Sequence, residues 1–220
     1  EGFAEDFYSG TSQNILLDGK KAEELIKKEY SYEQFSTVTC GIMMNAKSGI
    51  FSDSMMRYAL LYATDSSSLT LPFGYQKANG VVPPQVSDGD NIYRVFAGDS
   101  PAVKPDSVKA SSSYRKASEK ISKDDLYSVS IIAVEGRDEE LVNSAQDIIQ
   151  QWQAKLGFFC TVEYLSESSY NNAIESGNYD LALVRVTGEF NNPQSYLKNF
   201  TTSGYKYCAM GNDYQQLLQN

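Results

Sequence analysis

Three short apolar segments separated by two amphipathic ones dominate the chain between Leu126 and Thr187. Leu126–Val134 (LYSVSIIAV) alternates and then runs apolar, which is a strand pattern, and Phe158–Leu165 (FFCTVEYL) is a second. Asn178–Val186 (NYDLALVRV) is nearly continuous in apolar residues, as a central parallel strand should be. Between the first two, Leu141, Val142, Ala145, Ile148, Ile149, Trp152 and Leu156 recur at helical spacing. Asp138, Glu139 and Glu140 stand in that helix's first turn, where acids complement the positive end of the dipole, and Gly157 supplies the stop. Glu167–Ser176 reads as a shorter helix closed by Gly177. Connections this short imply a parallel β-α-β-α-β unit with right-handed crossovers. Trp152 is expected to be buried against that sheet, on a face shared with Ile148, Ile149 and Leu156.

Upstream the pattern is less regular. Residues 1–18 read as a loosely structured entry segment, Lys20–Tyr30 as a helix and Phe35–Asn45 as a buried strand. Ser52-Asp53-Ser54 is a helix start, followed by Met55, Met56, Ala59, Leu60 and Ala63, with an end near Asp65. From Ser66 to about Lys109 prolines and glycines interrupt every candidate element, although Tyr75, Tyr93 and Phe96 give the stretch something to bury. Ser111–Ser122 resumes as a short polar helix. The domain reading is an entry segment and helix over 1–35, then a single α/β lobe over 36–220.

Composition removes several functions. The chain contains no His, which excludes Ser-His-Asp and Cys-His nucleophile pairs and imidazole metal sites. Its 28 acidic residues against 19 basic ones give a net charge of −9, the wrong sign for a nucleic-acid binder. No run of apolar residues is long enough to span a membrane. Glu1-Gly2-Phe3-Ala4-Glu5-Asp6 has neither the charge nor the apolar run of a signal peptide, so the chain is read as cytosolic or as shorn of its export segment. Cys40, Cys160 and Cys208 show no CxxC spacing; they read as small buried apolar residues, with one bridge plus one thiol as the alternative.

Phosphate-cradling motifs are absent, since neither GxxxxGK[ST] nor GxGxxG occurs. The acids of Glu135–Glu140 lie at a helix start rather than in a calcium loop, so no metal is expected there. In open parallel sheets, ligands collect beyond the carboxyl ends of the strands. There the third strand runs into Thr187-Gly188-Glu189-Phe190-Asn191-Asn192-Pro193, which combines one carboxylate, amide side chains and an aromatic. A solvated turn is the alternative.

The order of segments resembles the family 5 extracellular solute-binding proteins, the oligopeptide- and dipeptide-binding receptors of ABC importers. Four stretches carry it: Thr39–Asn45 with Phe51-Ser52-Asp53 and Met56–Asp65; Gly74–Pro84 (GYQKANGVVPP); Ala145–Tyr164; and Ser169–Leu197, followed by Asn212-Asp213-Tyr214 and Leu217-Leu218. Together they span roughly 36–220. The resemblance implies one lobe of a class II periplasmic-binding-protein-like fold, with a central mixed sheet flanked by helices. It also implies a second lobe in the parent receptor, ligand captured between the two, an importer permease as partner, and an extracellular lipoprotein or periplasmic location. No catalysis and no cofactor are implied, and the molecule is expected to be a monomer.

By position, the aspartate that pairs with a peptide's α-ammonium in such receptors corresponds to Glu189. The backbone of Arg185, Val186 and Thr187 resembles the edge that hydrogen-bonds an extended peptide, and Phe190 and Asn191 complete the expected site. The sequence departs from the family's pattern twice: glutamate replaces aspartate, and Val186 stands where Trp is usual. Two alternatives are the ligand-sensing domain of a transcription regulator built on the same fold and a receptor for a non-peptide solute. The regulator reading would leave nucleic acid to a segment outside this chain.

Overall fold

The computed structural model describes residues 2–17, 19–28, 30–98, 103–201, 204–208 and 214. They divide into two units, 1–34 with 72–76, and 35–71 with 77–220. In the first, α1 (Gly2–Tyr8) occupies what the sequence suggested was loose, and α2 (Gly19–Ile26) is shorter than the expected helix. Phe7 meets Tyr30 edge-on at 5.2 Å, and Gln34 Nε2 donates to the Gly74 carbonyl at 2.8 Å.

The second unit begins with β1 (Val38–Met44). Asp53 then caps α3 (Ser54–Ala63) by accepting from the Met55 amide at 2.7 Å, and Met56, Ala59, Leu60 and Ala63 are buried along one face. Within the proline- and glycine-rich stretch the chain forms a small hairpin, β2 (Ser87–Asp88) and β3 (Asn91–Ile92), and a short helix α4 (Tyr93–Ala97). Helix α5 (Ser107–Ser118) starts four residues before the expected Ser111, because Asp106 accepts from the Lys109 amide at 2.9 Å.

Helix α6 (Lys123–Tyr127) takes the first two residues of the expected 126–134 strand. Its cap Ser122, accepting from the Asp125 amide, overrides the β preference of Leu126-Tyr127, and β4 (Ser130–Val134) follows. Then come α7 (Glu139–Leu156), β5 (Thr161–Leu165), α8 (Glu167–Ser176), β6 (Leu181–Thr187) and α9 (Pro193–Leu197). Gly157 and Gly177, at φ 66° and 77°, end α7 and α8 in the left-handed conformation expected of them. Asn212-Asp213 and Leu217-Leu218 lie outside the described residues.

The sheet order is β1-β6-β4-β5. Strands β4 and β5 are parallel from Ser130↔Thr161 to Val134↔Leu165, and β1 is antiparallel to β6 from Val38↔Thr187 to Met44↔Leu181. Between β4 and β6 the parallel pairing covers only Ile131↔Leu181 and Ile132↔Ala182. The step from β4 to β5 runs opposite to the step from β5 to β6, so right-handed crossovers place α7 and α8 on opposite faces. Ile132, Val134, Ala182, Val184 and Val186 pack with Tyr170 of α8, Tyr179 and Tyr196 in one cluster. β1 is an edge strand of which only Met43 is buried, not the buried strand expected; β6 shields it from one side alone. The three cysteines are free and half-buried, and burial pushes the Cys160 thiol up to about 12.

Trp152 is buried, but its polar contacts are with α3 rather than the sheet: Nε1 donates to Thr64 Oγ1 at 2.8 Å and to the Leu60 carbonyl at 3.2 Å. Phe158 packs edge-on to the indole at 6.0 Å. Ile148, Ile149 and Leu156 are only half-buried, because the inner face of α7 is carried by Leu141, Val142, Ala145 and Trp152. Trp152→Ala should therefore cost about 3–5 kcal/mol, read from urea unfolding followed by circular dichroism. A loss under about 1 kcal/mol would contradict this packing.

Candidate functional site

After its two pairs with β4, strand β6 continues for five residues without a parallel neighbour. Side chains take over the outward carbonyls of alternate residues. Tyr170 Oη donates to the Leu183 carbonyl at 2.9 Å, Tyr205 Oη to that of Arg185 at a long 3.5 Å, and Asn199 Nδ2 to that of Thr187 at 2.8 Å.

A buried carboxylate holds the same gap. Asp138, fully buried at the start of α7, accepts from the Val134 amide at 3.0 Å, so the last residue of β4 is tied to α7. Arg185 Nε donates to Asp138 Oδ1 at 2.8 Å, and Arg137 Nη2 to Oδ2 at 3.2 Å. Arg185 Nη2 also reaches the Arg137 carbonyl at 2.9 Å. Burial pushes the Asp138 carboxyl up, but hydrogen bonds from Arg137, Arg185 and the Val134 amide more than offset this and leave it below the ordinary carboxylate range. In the sequence Asp138 looked like one more helix-start acid. The available signal was Arg185 itself, a charge in an otherwise apolar strand that requires a partner.

The loop after β6 is held equally firmly. Asn192 caps α9 by accepting from the Ser195 amide at 2.8 Å, and Ser195 Oγ donates to the Phe190 carbonyl at 2.7 Å. Tyr196 Oη donates to the Thr37 carbonyl at 3.0 Å, which anchors α9 beside the start of β1. A Cβ at Gly188 would collide with Ser195 Oγ and the Tyr196 ring, so only glycine fits there. Asn191 clasps the hairpin: its Oδ1 accepts from the Ser87 amide and its Nδ2 donates to Ser87 Oγ, both at 3.3 Å.

The six residues expected at the site thus lie together at the carboxyl end of β6, with different side-chain roles. Val186 is buried in the core cluster, Arg185 is bonded to Asp138, and the Asn191 amide is bonded to Ser87. Thr187, Glu189 and Phe190 are exposed, Phe190 at 69%. Glu189 forms no ion pair with a described residue. What the loop offers to a ligand is one carboxylate with no ion pair among the described residues, beside one exposed aromatic ring, on an immobilised backbone. Among the described residues no group of acids or thiols is arranged to hold a metal ion. A hollow of about 610 Å³ lies elsewhere, lined in part by Ser130, Glu163, Asn172 and Asp180, and none of the six residues borders it.

The description "Bacterial extracellular solute-binding proteins, family 5 Middle" belongs to a family model that matches residues 6–207. Among solved structures, Listeria monocytogenes OppA bound to peptide aligns at TM-score 0.73 and 16% identity, over 100% of this chain and 45% of that one. The periplasmic murein tripeptide binding protein MppA, in its unliganded open form, aligns at 0.72 and 16%, over 99% and 43%. The substrate-binding domain of an oligopeptide ABC transporter from Bacillus anthracis aligns at 0.71 and 16%, over 98% and 43%. The chain spans less than half the length of each of these three. No curated protein matches.

The clasp at Asp138 is testable by pH. A carboxyl with a depressed folded pKa stabilises the protein above its unfolded value of about 3.9, and that contribution is lost as pH falls through the folded value. Asp138→Asn should cost about 3 kcal/mol at neutral pH, the low end for a broken buried pair because both arginines reach solvent. It should also flatten the acid limb of the stability profile. Unfolding curves that match the parent's from neutral pH to below about pH 4 would contradict the clasp.

Proposed function

The chain belongs to the bacterial extracellular solute-binding proteins of family 5, and from that premise we propose that it is the lobe of an importer's receptor that holds the amino end of a peptide. Residues 36–220 form the ligand-binding lobe, and a second lobe of the same receptor closes over the ligand. The loaded receptor, a monomeric extracellular or periplasmic protein anchored by a lipid or free, delivers the peptide to an ABC importer permease. It performs no catalysis and needs no cofactor.

The observation that carries this reading is the Glu189 carboxylate, exposed and without an ion pair among the described residues, on a loop immobilised by Asn192, Ser195 and Tyr196. A carboxylate of that kind suits a primary ammonium. It gains little from a charge in open water and much once a second lobe excludes solvent. Phe190 supplies an apolar surface for the first side chain. Thr187 and Gly188 run the backbone alongside the ligand, while the Arg185 side chain bonded to Asp138 and the buried Val186 keep that backbone in place. The Asn191 amide holds the hairpin wall.

In the complete receptor, Glu189→Gln should weaken binding of a free peptide by roughly 30- to 5000-fold, the cost of leaving an ammonium buried and unpaired. Acetylating the peptide's amine should weaken binding to the parent receptor comparably and should add little in the variant. Titration calorimetry on the four combinations decides the matter. Equal affinities across all four would reduce Glu189 to a solvated loop acid.

A further inference from the structure

The face formed by α3 and α5 differs in charge from the rest of the chain. Residues 104–125 carry Lys104, Lys109, Arg115, Lys116, Lys120 and Lys123 against Asp106, Glu119, Asp124 and Asp125, a net +2 in a protein of net charge −9. Lys109 pairs with Asp106 at 3.2 Å and Lys120 with Asp53 at 3.3 Å, so these two acids are already neutralised. Lys116 forms no ion pair with a described carboxylate.

Between the two helices runs a shallow groove of about 450 Å³, bordered by Met55, Tyr58, Tyr62, Val108, Lys109 and Lys116. Tyr58 and Tyr62, one turn apart, stack with centroids 6.1 Å apart, and Lys109 Nζ stands 5.4 Å from the Tyr62 ring centre. Val108 projects with 80% of its surface exposed, and Tyr58 is exposed on the opposite border of the groove.

Each of these components suits a lipid–water boundary. Tyrosine presents an apolar body and a wet hydroxyl end, and lysine lays its stem along apolar surface while its ammonium reaches outward. A cluster of such cations is drawn to anionic headgroups. From this juxtaposition we infer that the α3–α5 face docks onto an anionic lipid bilayer. The remaining surface carries the chain's excess of acid and is repelled by the same bilayer, so the contact also sets an orientation. An acidic peptide is the less suitable occupant: the groove is open, and an apolar side chain projects from its border where a peptide's anchor residue would need a pocket.

Vesicle sedimentation with the 220-residue chain tests this. At low salt the chain should pellet with mixed phosphatidylglycerol–phosphatidylcholine vesicles and stay in solution with phosphatidylcholine alone, and high salt should release it. Lys109→Glu with Lys116→Glu should lower partitioning at least about tenfold, the order expected for two cations near a charged surface. Val108→Ser should weaken it further without adding to the salt dependence. All three positions are exposed, and circular dichroism checks that the variants fold. Equal partitioning to neutral and anionic vesicles, or binding unchanged by the charge reversals, would overturn the inference. So would a parent chain that ignores vesicles but binds a hexaglutamate peptide through the same two lysines.

Discussion

The hydrogen-bonded carboxylate of Asp138 is the constraint on which the candidate site rests. Strand β6 leaves β4 after two residue pairs, and from there a parallel ladder no longer sets its course. Asp138 closes the gap by binding the Val134 amide, Arg137 and Arg185 together, which joins the end of β4, the start of α7 and the outgoing half of β6. Tyr170 and Tyr205 saturate the carbonyls that the missing ladder would have used. Without these contacts two arginines and several backbone groups would be left poorly paired, at a cost in the kcal/mol range for each. The geometry of Glu189 is therefore decided by the sheet beneath it together with the contacts of its own loop.

How much of this could be read from residues alone follows the range of the interactions. The path from β4 to β6 was legible because its cues are local: helical spacing from Leu141 to Leu156, glycine stops at 157 and 177, and apolar strands of parallel type. Boundaries failed where a single cap outweighed propensity, as Ser122 did at Leu126-Tyr127 and Asp106 did ahead of Ser111. The role of Asn191 was not legible, and that of Asp138 was signalled only by Arg185, a charge in an apolar strand, without naming its partner. Asp138 depends on a partner 47 residues away and Asn191 on a hairpin 104 residues away, and neither separation leaves a periodic trace. Likewise the apolar composition of β1 predicts a buried strand, because composition reports apolarity but not whether a strand lies at an edge.

Family membership and the geometry of the loop bear on the same residues from separate directions. The family supplies solute binding outside the cell. The structure supplies a carboxylate with no described ion-pair partner, an exposed ring, and a loop that only glycine at 188 permits. Asn192, Ser195 and Asn199 hold the Ser195 amide and the carbonyls of Thr187, Phe190 and Asn192, and Tyr196 ties α9 to the Thr37 carbonyl, more than a solvated turn would need. Rigidity of this degree is what pre-organised recognition requires, since a ligand then spends little of its binding energy on ordering the receptor.

The most direct measurement is a crystal structure of the complete receptor with a bound peptide. The account predicts the peptide's α-nitrogen within about 3 Å of the Glu189 carboxylate, its first side chain near Phe190, and the Asp138–Arg185 pair intact beneath. A peptide bound in the reverse direction, or one whose amine is neutralised elsewhere while Glu189 stays in solvent, would contradict it.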